Sequence, residues 1–121
     1  MDCIFCKINK EEIPSYTVYE DDLVRAFLDI NPDSLGHMLV IPKDHYTDIE
    51  NLSEEVWSHL LKVTKQLKKL LEEKLNIDGV TLIQNNGIVQ EVKHFHLHLK
   101  PVYKGIKESM ELPELFDLLT K

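Results

Sequence analysis

The sequence predicts an α+β fold, an antiparallel sheet of about five strands with one long helix and a short N-terminal helix. Three observations carry this. Apolar residues alternate with histidine over His94-Phe95-His96-Leu97-His98-Leu99, the period-two pattern of a strand with one face in a core. Val56, Trp57, Leu60, Leu61, Leu67, Leu70, Leu71 and Leu75 recur at helical spacing over residues 53–75, which makes one long amphipathic helix. The order helix, hairpin, strand, long helix, two strands is that of segregated elements rather than repeated strand–helix–strand units.

The elements follow in turn. Ile4, Phe5 and Ile8 give a short amphipathic helix at the N-terminus, and Pro14 stops any helix beyond it. Residues 17–20 and 23–28 read as hairpin partners around Asp21-Asp22. Residues 31–36 are rich in turn formers, and 37–41 form a near-continuous apolar strand closed by Pro42. Ser53 suits the N-cap of the long helix, with Glu54 and Glu55 in the first turn where acidic groups favour the dipole. Residues 79–84 form the next strand, 85–93 a loop and 94–101 the histidine strand. Residues 112–119 predict a C-terminal helix whose leucines face either this core or a partner chain.

The 121 residues fit a single domain over 1–121, and 43% hydrophobic content is enough for a real core. A net charge of −7 with no basic tail argues against nucleic-acid binding. An anionic ligand would then need a local positive site. No apolar run reaches membrane-spanning length and the first residues do not form a signal peptide, so a cytoplasmic location is expected. Cys3 and Cys6 in Cys-x-x-Cys spacing read as metal ligands or as a redox pair.

Three of the six histidines fall within five residues. Solvent-facing strand positions ordinarily carry Thr, Lys, Glu or Arg. Imidazole titrates near neutrality, binds metals and attacks phosphorus, so this face reads as chemistry. His59, on the long helix, has no role in it.

Set in order, several pieces resemble the histidine triad (HIT) family of nucleotide hydrolases and transferases. They are Ile4-Phe5-Cys6-Lys7-Ile8, Glu12-Ile13-Pro14, Phe27-Leu28-Asp29-Ile30-Asn31-Pro32, Gly36-His37, Val40-Ile41-Pro42-Lys43-Asp44-His45, Asn85-Asn86-Gly87 and Gln90-Glu91-Val92 leading into the triad. The resemblance implies a small α+β sheet, paired as a homodimer. It implies that His96 attacks the α-phosphate of a nucleotide, giving a transient nucleotidyl-histidine. By the same likeness His98 contacts phosphate and leaving group, His37 stands behind the triad, and Gln90 holds a phosphate oxygen or the leaving group. Asn85 lies near ribose and phosphate, and Asp29 accepts from the ribose hydroxyls. Ile4, Phe5, Ile8, Ile13, Phe27, Leu28 and Ile30 surround the base. Taken singly, Asp29 reads as a turn former, Phe5, Ile8 and Phe27 as core, and Gln90 as a loop residue.

In bacterial relatives of this kind, positions matching Cys3, Cys6, His45 and His94 hold a structural zinc, and two Cys with two His suit a tetrahedral ion. The rival redox pair lacks a thioredoxin-like βαβ setting. Three departures stand out: Lys100 follows Leu99 where the family signature has a second apolar residue, the loop from Gly87 to Gln90 is short, and Glu91 stands where one branch carries a serine that acts on the leaving group. The expected activity is hydrolysis of a purine nucleoside 5′-phosphoramidate or related nucleotide. The alternatives are dinucleoside polyphosphate hydrolysis and a non-enzymatic nucleotide-binding or partner-binding module.

Overall fold

A computed structural model describes residues 3–121. The chain runs α1 (Ile4–Asn9), β1 (Thr17–Glu20), β2 (Val24–Leu28), β3 (Met38–Pro42), α2 (Glu54–Leu75), β4 (Gly79–Gln84), β5 (Leu97–Val102) and α3 (Leu112–Thr120). The five strands form one sheet in the order β1-β2-β3-β5-β4. Every neighbouring pair is antiparallel. The α+β architecture read from the sequence is the architecture observed.

Helix α2 begins where Ser53 Oγ accepts the backbone N–H of Val56 at 3.2 Å. It ends at Asn76, whose left-handed backbone (φ 53°) closes the last turn. Its stripe of Leu60, Val63, Leu67, Leu71 and Leu75 packs on one face of the sheet, against Val24, Ala26, Met38, Val40, Phe95, Leu97 and Leu99. Trp57 meets Phe95 edge-on at 5.8 Å between centroids. Helix α3 adds Leu115 and Leu119 to that same core, so these leucines are used within the chain.

The opposite face is covered at one end by α1, through Phe5, Ile8 and Cys3 on Phe27, Leu39 and Ile41. Cover on both faces explains why β2 and β3 are buried at every position. Arg25, inside β2, is tolerated because it donates to Thr17 Oγ1 at 2.9 Å and to Glu20 at 2.8 Å.

The histidine stretch differs from the sequence reading at its start. Pairing begins at Leu97, so His94, at a bend, and Phe95 and His96 lie outside the ladder. The alternation still holds: Phe95, Leu97 and Leu99 enter the α2 core. Phe95 N–H donates to the Tyr46 carbonyl at 2.6 Å, which fixes the unpaired segment against the 45–47 loop. The loop at 85–93 also contains a single 3₁₀ turn at Gly87–Val89.

His59 pins α2 to the hairpin. Its Nε2 lies 2.5 Å from Asp21 Oδ2, which also accepts from Tyr19 at 2.5 Å, while Oδ1 caps the Leu23 and Val24 N–H groups. Burial opposes ionisation of Asp21, but the hydrogen bonds from Tyr19, His59 and the backbone outweigh it and hold the carboxyl well below its ordinary range. A depressed native value means stability that is present above the unfolded value near 3.9 and is lost as pH falls below it. Asp21→Asn is therefore expected to destabilise the fold by about 1–3 kcal/mol at pH 7. Urea unfolding should show the gap to the wild type closing below about pH 4.

Candidate active site and metal centre

The register of the sheet places the reacting face. Leu39 in β3 stands opposite His98 in β5, and Ile83 in β4 flanks His98 on the other side. Phe27 in β2 is the partner of Leu39, so one row across the sheet runs from Phe27 to His98. His37 enters this face just before β3. Gly36, which precedes it, has φ +91°, and a Cβ there would lie 2.9 Å from Leu75 Cδ1 and 3.1 Å from Leu71 Cδ2. Only glycine lets the turn into β3 pass this close to α2.

The hydrogen bonds assign the ring tautomers. Asp33 N–H donates to His37 Nδ1 at 3.1 Å, so that nitrogen is an acceptor and Nε2 carries the proton. His37 Nε2–H therefore donates to His98 Nδ1, 3.0 Å away. His98 is left with an Nε2–H donor. His96 Nδ1 lies 2.8 Å from the His94 carbonyl, to which it can only donate. Its Nε2 then keeps a lone pair, with no hydrogen-bond partner among the described residues. Burial, followed by the neighbouring His96, His37 and Lys100, pushes His98 down to about 4, so it is neutral at pH 7. Burial likewise lowers His37, against the pull of Asp29.

His96 and His98 open into a cavity of about 230 Å³. Its apolar wall comes from Ile4, Phe5, Ile8, Ile13, Phe27, Leu28 and Ile30, all seven of the residues expected around a base, together with Pro14 and Leu39. Phe5 links the wall to His96, its ring edge-on to His96 at 5.1 Å and to Phe27 at 5.7 Å. Asp29 lines the cavity as well. Its Oδ1 accepts from Asn31 N–H at 2.8 Å and its Oδ2 lies 3.6 Å from His37 Nε2. The turn role and the site position are thus filled by one carboxylate.

Three expected site residues do not line this cavity: His37, which stands behind His98, and Gln90 and Asn85. Gln90 is buried beside the loop, its amide donating to the Thr47 carbonyl at 2.7 Å and its carbonyl accepting Gly87 N–H at 3.2 Å. These bonds tie the side chain to the 87–90 turn and to Thr47, and its amide carries a second N–H beyond them. Asn85, at the end of β4, is not among the cavity residues either. No local positive site of the kind an anion would need lines the cavity: there is no lysine or arginine among the described residues that do.

Behind the cavity, Cys3, Cys6, His45 and His94 offer four ligand atoms all within 4.8 Å of one another. Cys6 Sγ lies 3.3 Å from His45 Nδ1, and His94 Nδ1 lies 3.4 Å from Cys3 Sγ and 3.6 Å from Cys6 Sγ. A tetrahedron with zinc-length bonds has S···N edges of about 3.6 Å. His94 Nε2 faces the Pro42 carbonyl at 3.0 Å. That contact takes its N–H and turns the Nδ1 lone pair toward the sulfurs, as a ligand requires. Burial and the neighbouring Cys3 raise the Cys6 thiol, opposite to the depressed value of a redox cysteine. The donor set fits a tetrahedral thiophilic ion.

Asp29, His37 and His98 form a second cluster of potential ligands. Here the fit fails on tautomer grounds. The Asp33 N–H holds the proton on His37 Nε2, and that proton occupies the centre of the cluster.

The groups missed by sequence reasoning are largely backbone ones. The His94 carbonyl fills the role of the backbone acceptor expected for the second nitrogen of His96, whereas the Asp33 N–H and the Pro42 carbonyl, which set the tautomers of His37 and His94, were not foreseen. No residue type at those positions signals either contact. Pro14, Leu39 and Val92 complete the cavity, and Pro14 could have been inferred from its neighbour Ile13.

The sequence profile of the HIT domain matches residues 10–105. An uncharacterized HIT-like protein of Methanocaldococcus jannaschii is 44% identical over 115 residues, 93% of this chain and 88% of that one. A Saccharomyces cerevisiae protein named adenosine 5′-monophosphoramidase is 42% identical over 101 residues, 82% of this chain and 61% of that one. Among solved structures, a zinc-bound histidine triad family protein from Mycobacterium smegmatis aligns over 99% of this chain and 91% of its own, at 34% identity and a TM-score of 0.90.

Proposed function

This chain belongs to the HIT domain family, and on that premise we propose that it hydrolyses a purine nucleoside 5′-phosphoramidate through a nucleotidyl group on His96. The observation that carries the reading is the free Nε2 of His96 at the head of an apolar cavity, with Nδ1–H held by the His94 carbonyl. With Nδ1–H held by that carbonyl, the Nε2 lone pair is oriented for attack before substrate arrives. The base lies against the apolar wall to which Phe5 and Phe27 belong, and the ribose hydroxyls reach Asp29.

Nε2 of His96 attacks the phosphorus and the P–N bond breaks. The Nε2–H of His98 steadies the phosphoryl oxygens, and its Nδ1 is kept an acceptor by His37. The departing nitrogen takes a proton from water, and the hydroxide equivalent then displaces Nε2 from phosphorus. The products are the nucleoside monophosphate, the amine and free His96. Gln90 acts indirectly, holding the 87–90 turn through Thr47.

We assign zinc to Cys3 Sγ, Cys6 Sγ, His45 Nδ1 and His94 Nδ1. Bound there, it supplies structural cross-linking between α1, the segment after β3 and the approach to β5. Thiolate ligands of this kind suit a reducing, cytoplasmic setting.

Turnover of an adenosine 5′-phosphoramidate with a fluorescent amine tests the reading. The 2′-deoxy analogue should show kcat/KM lower by roughly tenfold, since Asp29 loses a hydroxyl partner at a partly buried position. Equal values for the two sugars would remove Asp29 from the ribose site.

Homodimerisation is the expected assembly. No helix of the described residues is long and apolar enough to cross a membrane, and β4 leaves a free sheet edge on which Leu82 is 47% exposed. Light scattering should give about twice the 14.1 kDa chain mass. A monomer would contradict the pairing.

A further inference from the structure

Lys100 stands in β5 where the family signature has an apolar residue. It lies two residues beyond His98, so the pleat puts both on one face of the strand. Its side chain is only 22% exposed, yet it does not line the cavity. Instead its Nζ donates to Asp33 Oδ2 at 2.6 Å. That ammonium is the main cause holding the Asp33 carboxyl below its usual range. Asp33 is also the residue whose backbone N–H meets His37 Nδ1 at 3.1 Å, and His37 Nε2 lies 3.0 Å from His98 Nδ1. Lys100 is thus tied, through Asp33 and His37, back to the histidine two residues before it.

The sense of that chain decides what His98 offers a substrate. With the proton on His37 Nε2, His98 Nδ1 accepts and its Nε2 carries an N–H. With the proton on His37 Nδ1, that hydrogen would face the Asp33 N–H. His98 would then donate from Nδ1 to His37, and its Nε2 would present a lone pair. A lone pair repels a phosphoryl oxygen that an N–H would bind. A neutral imidazole carries its proton on either nitrogen, so the neighbouring hydrogen bond decides. Here the neighbour is the Asp33 N–H, in a turn whose residues 31–33 are exposed. Lys100, and the Ser34 hydroxyl donating to the Pro101 carbonyl at 2.6 Å, tie that turn to β5.

We propose that Lys100 is a positioning residue for His98: by holding the Asp33 carboxylate it keeps the Asp33 N–H on His37 and fixes the direction of the hydrogen-bond chain, with its donor end toward the phosphoryl group. The inference rests on the hydrolase reading only in naming phosphate as the acceptor. An ion pair with one exposed partner adds little to stability, so its loss is read in the histidines and not in the melting temperature.

The test reads histidine tautomers by long-range proton–nitrogen NMR correlation on zinc-loaded protein with labelled histidine, at neutral pH. In the wild type His37 and His98 should each carry the proton on Nε2. In Lys100→Met each should show both tautomers, and kcat/KM for an adenosine 5′-phosphoramidate should fall roughly tenfold, through kcat with KM unchanged. Lys100→Arg keeps a cationic donor at Asp33 and should restore both readouts. Asp33→Ala keeps the backbone N–H but loses the carboxylate, and should match Lys100→Met. The double variant should fall no further than either single one, because the two residues act as a unit. Single Nε2–H tautomers in Lys100→Met, or losses that multiply in the double variant, would overturn the proposal. A wild type that turns over no phosphoramidate would defeat the hydrolase reading, and the tautomers would still decide the role of Lys100.

Discussion

His96→Ala should lose at least about 10⁴-fold in kcat/KM, the scale of removing a covalent nucleophile. Metal content should be unchanged, because the His94 ring and the His45 ring bond the sulfurs without help from His96. The melting temperature should fall by no more than about 5 °C, since the imidazole sits at a cavity wall rather than inside the α2 core. His98→Ala makes the contrast. It removes the Nε2–H donor but leaves the attacking lone pair, so turnover should slow while substrates with good leaving groups still react. Near-wild-type activity in His96→Ala would show that another group attacks phosphorus.

Replacing Cys3 and Cys6 together by serine should release the metal and lower the melting temperature by about 10 °C, with activity falling less directly. The four candidate ligands come from residues 3, 6, 45 and 94, so an ion held there would link segments far apart in sequence. His94→Ala should act in the same way. Acid should do so too. Burial, opposed by the Pro42 carbonyl, pushes His94 down to about 4. A buried neutral histidine binds protons more weakly than the unfolded chain does. Stability is therefore full above about pH 6.5 and falls as pH drops from there toward 4. Metal analysis during a titration from pH 7 to 4 should follow the same window. Protein purified without chelator and holding no zinc would contradict the assignment.

The periodic elements were legible in the sequence because their cause is periodic. The α2 stripe, the hairpin and the Phe95-Leu97-Leu99 alternation each bury one face, and each lies where its pattern says. Residues 17–20 and 79–84 match β1 and β4 at both ends. The start of β5 was not legible. His94 and Phe95 keep the alternation of a strand, but their backbone is held by Tyr46 instead of a neighbouring strand. Side-chain pattern does not distinguish an extended segment from a paired one. The same limit applies to Gln90. The family resemblance implied a phosphate or leaving-group contact for it; one amide N–H goes to the Thr47 carbonyl, and main-chain acceptors leave no trace in residue type. The α3 leucines suited two environments equally until the contact with α2 and β1 chose one.

The central claim is that His96 Nε2 carries the nucleotide. Rapid quench of the enzyme with a radiolabelled adenosine 5′-phosphoramidate, held at alkaline pH and followed by peptide mass spectrometry, measures it directly. The account predicts one acid-labile adenylyl group per active site, on His96, formed and consumed at rates compatible with turnover. An adduct on His94 or His98, or turnover with no adduct on any histidine, would contradict it.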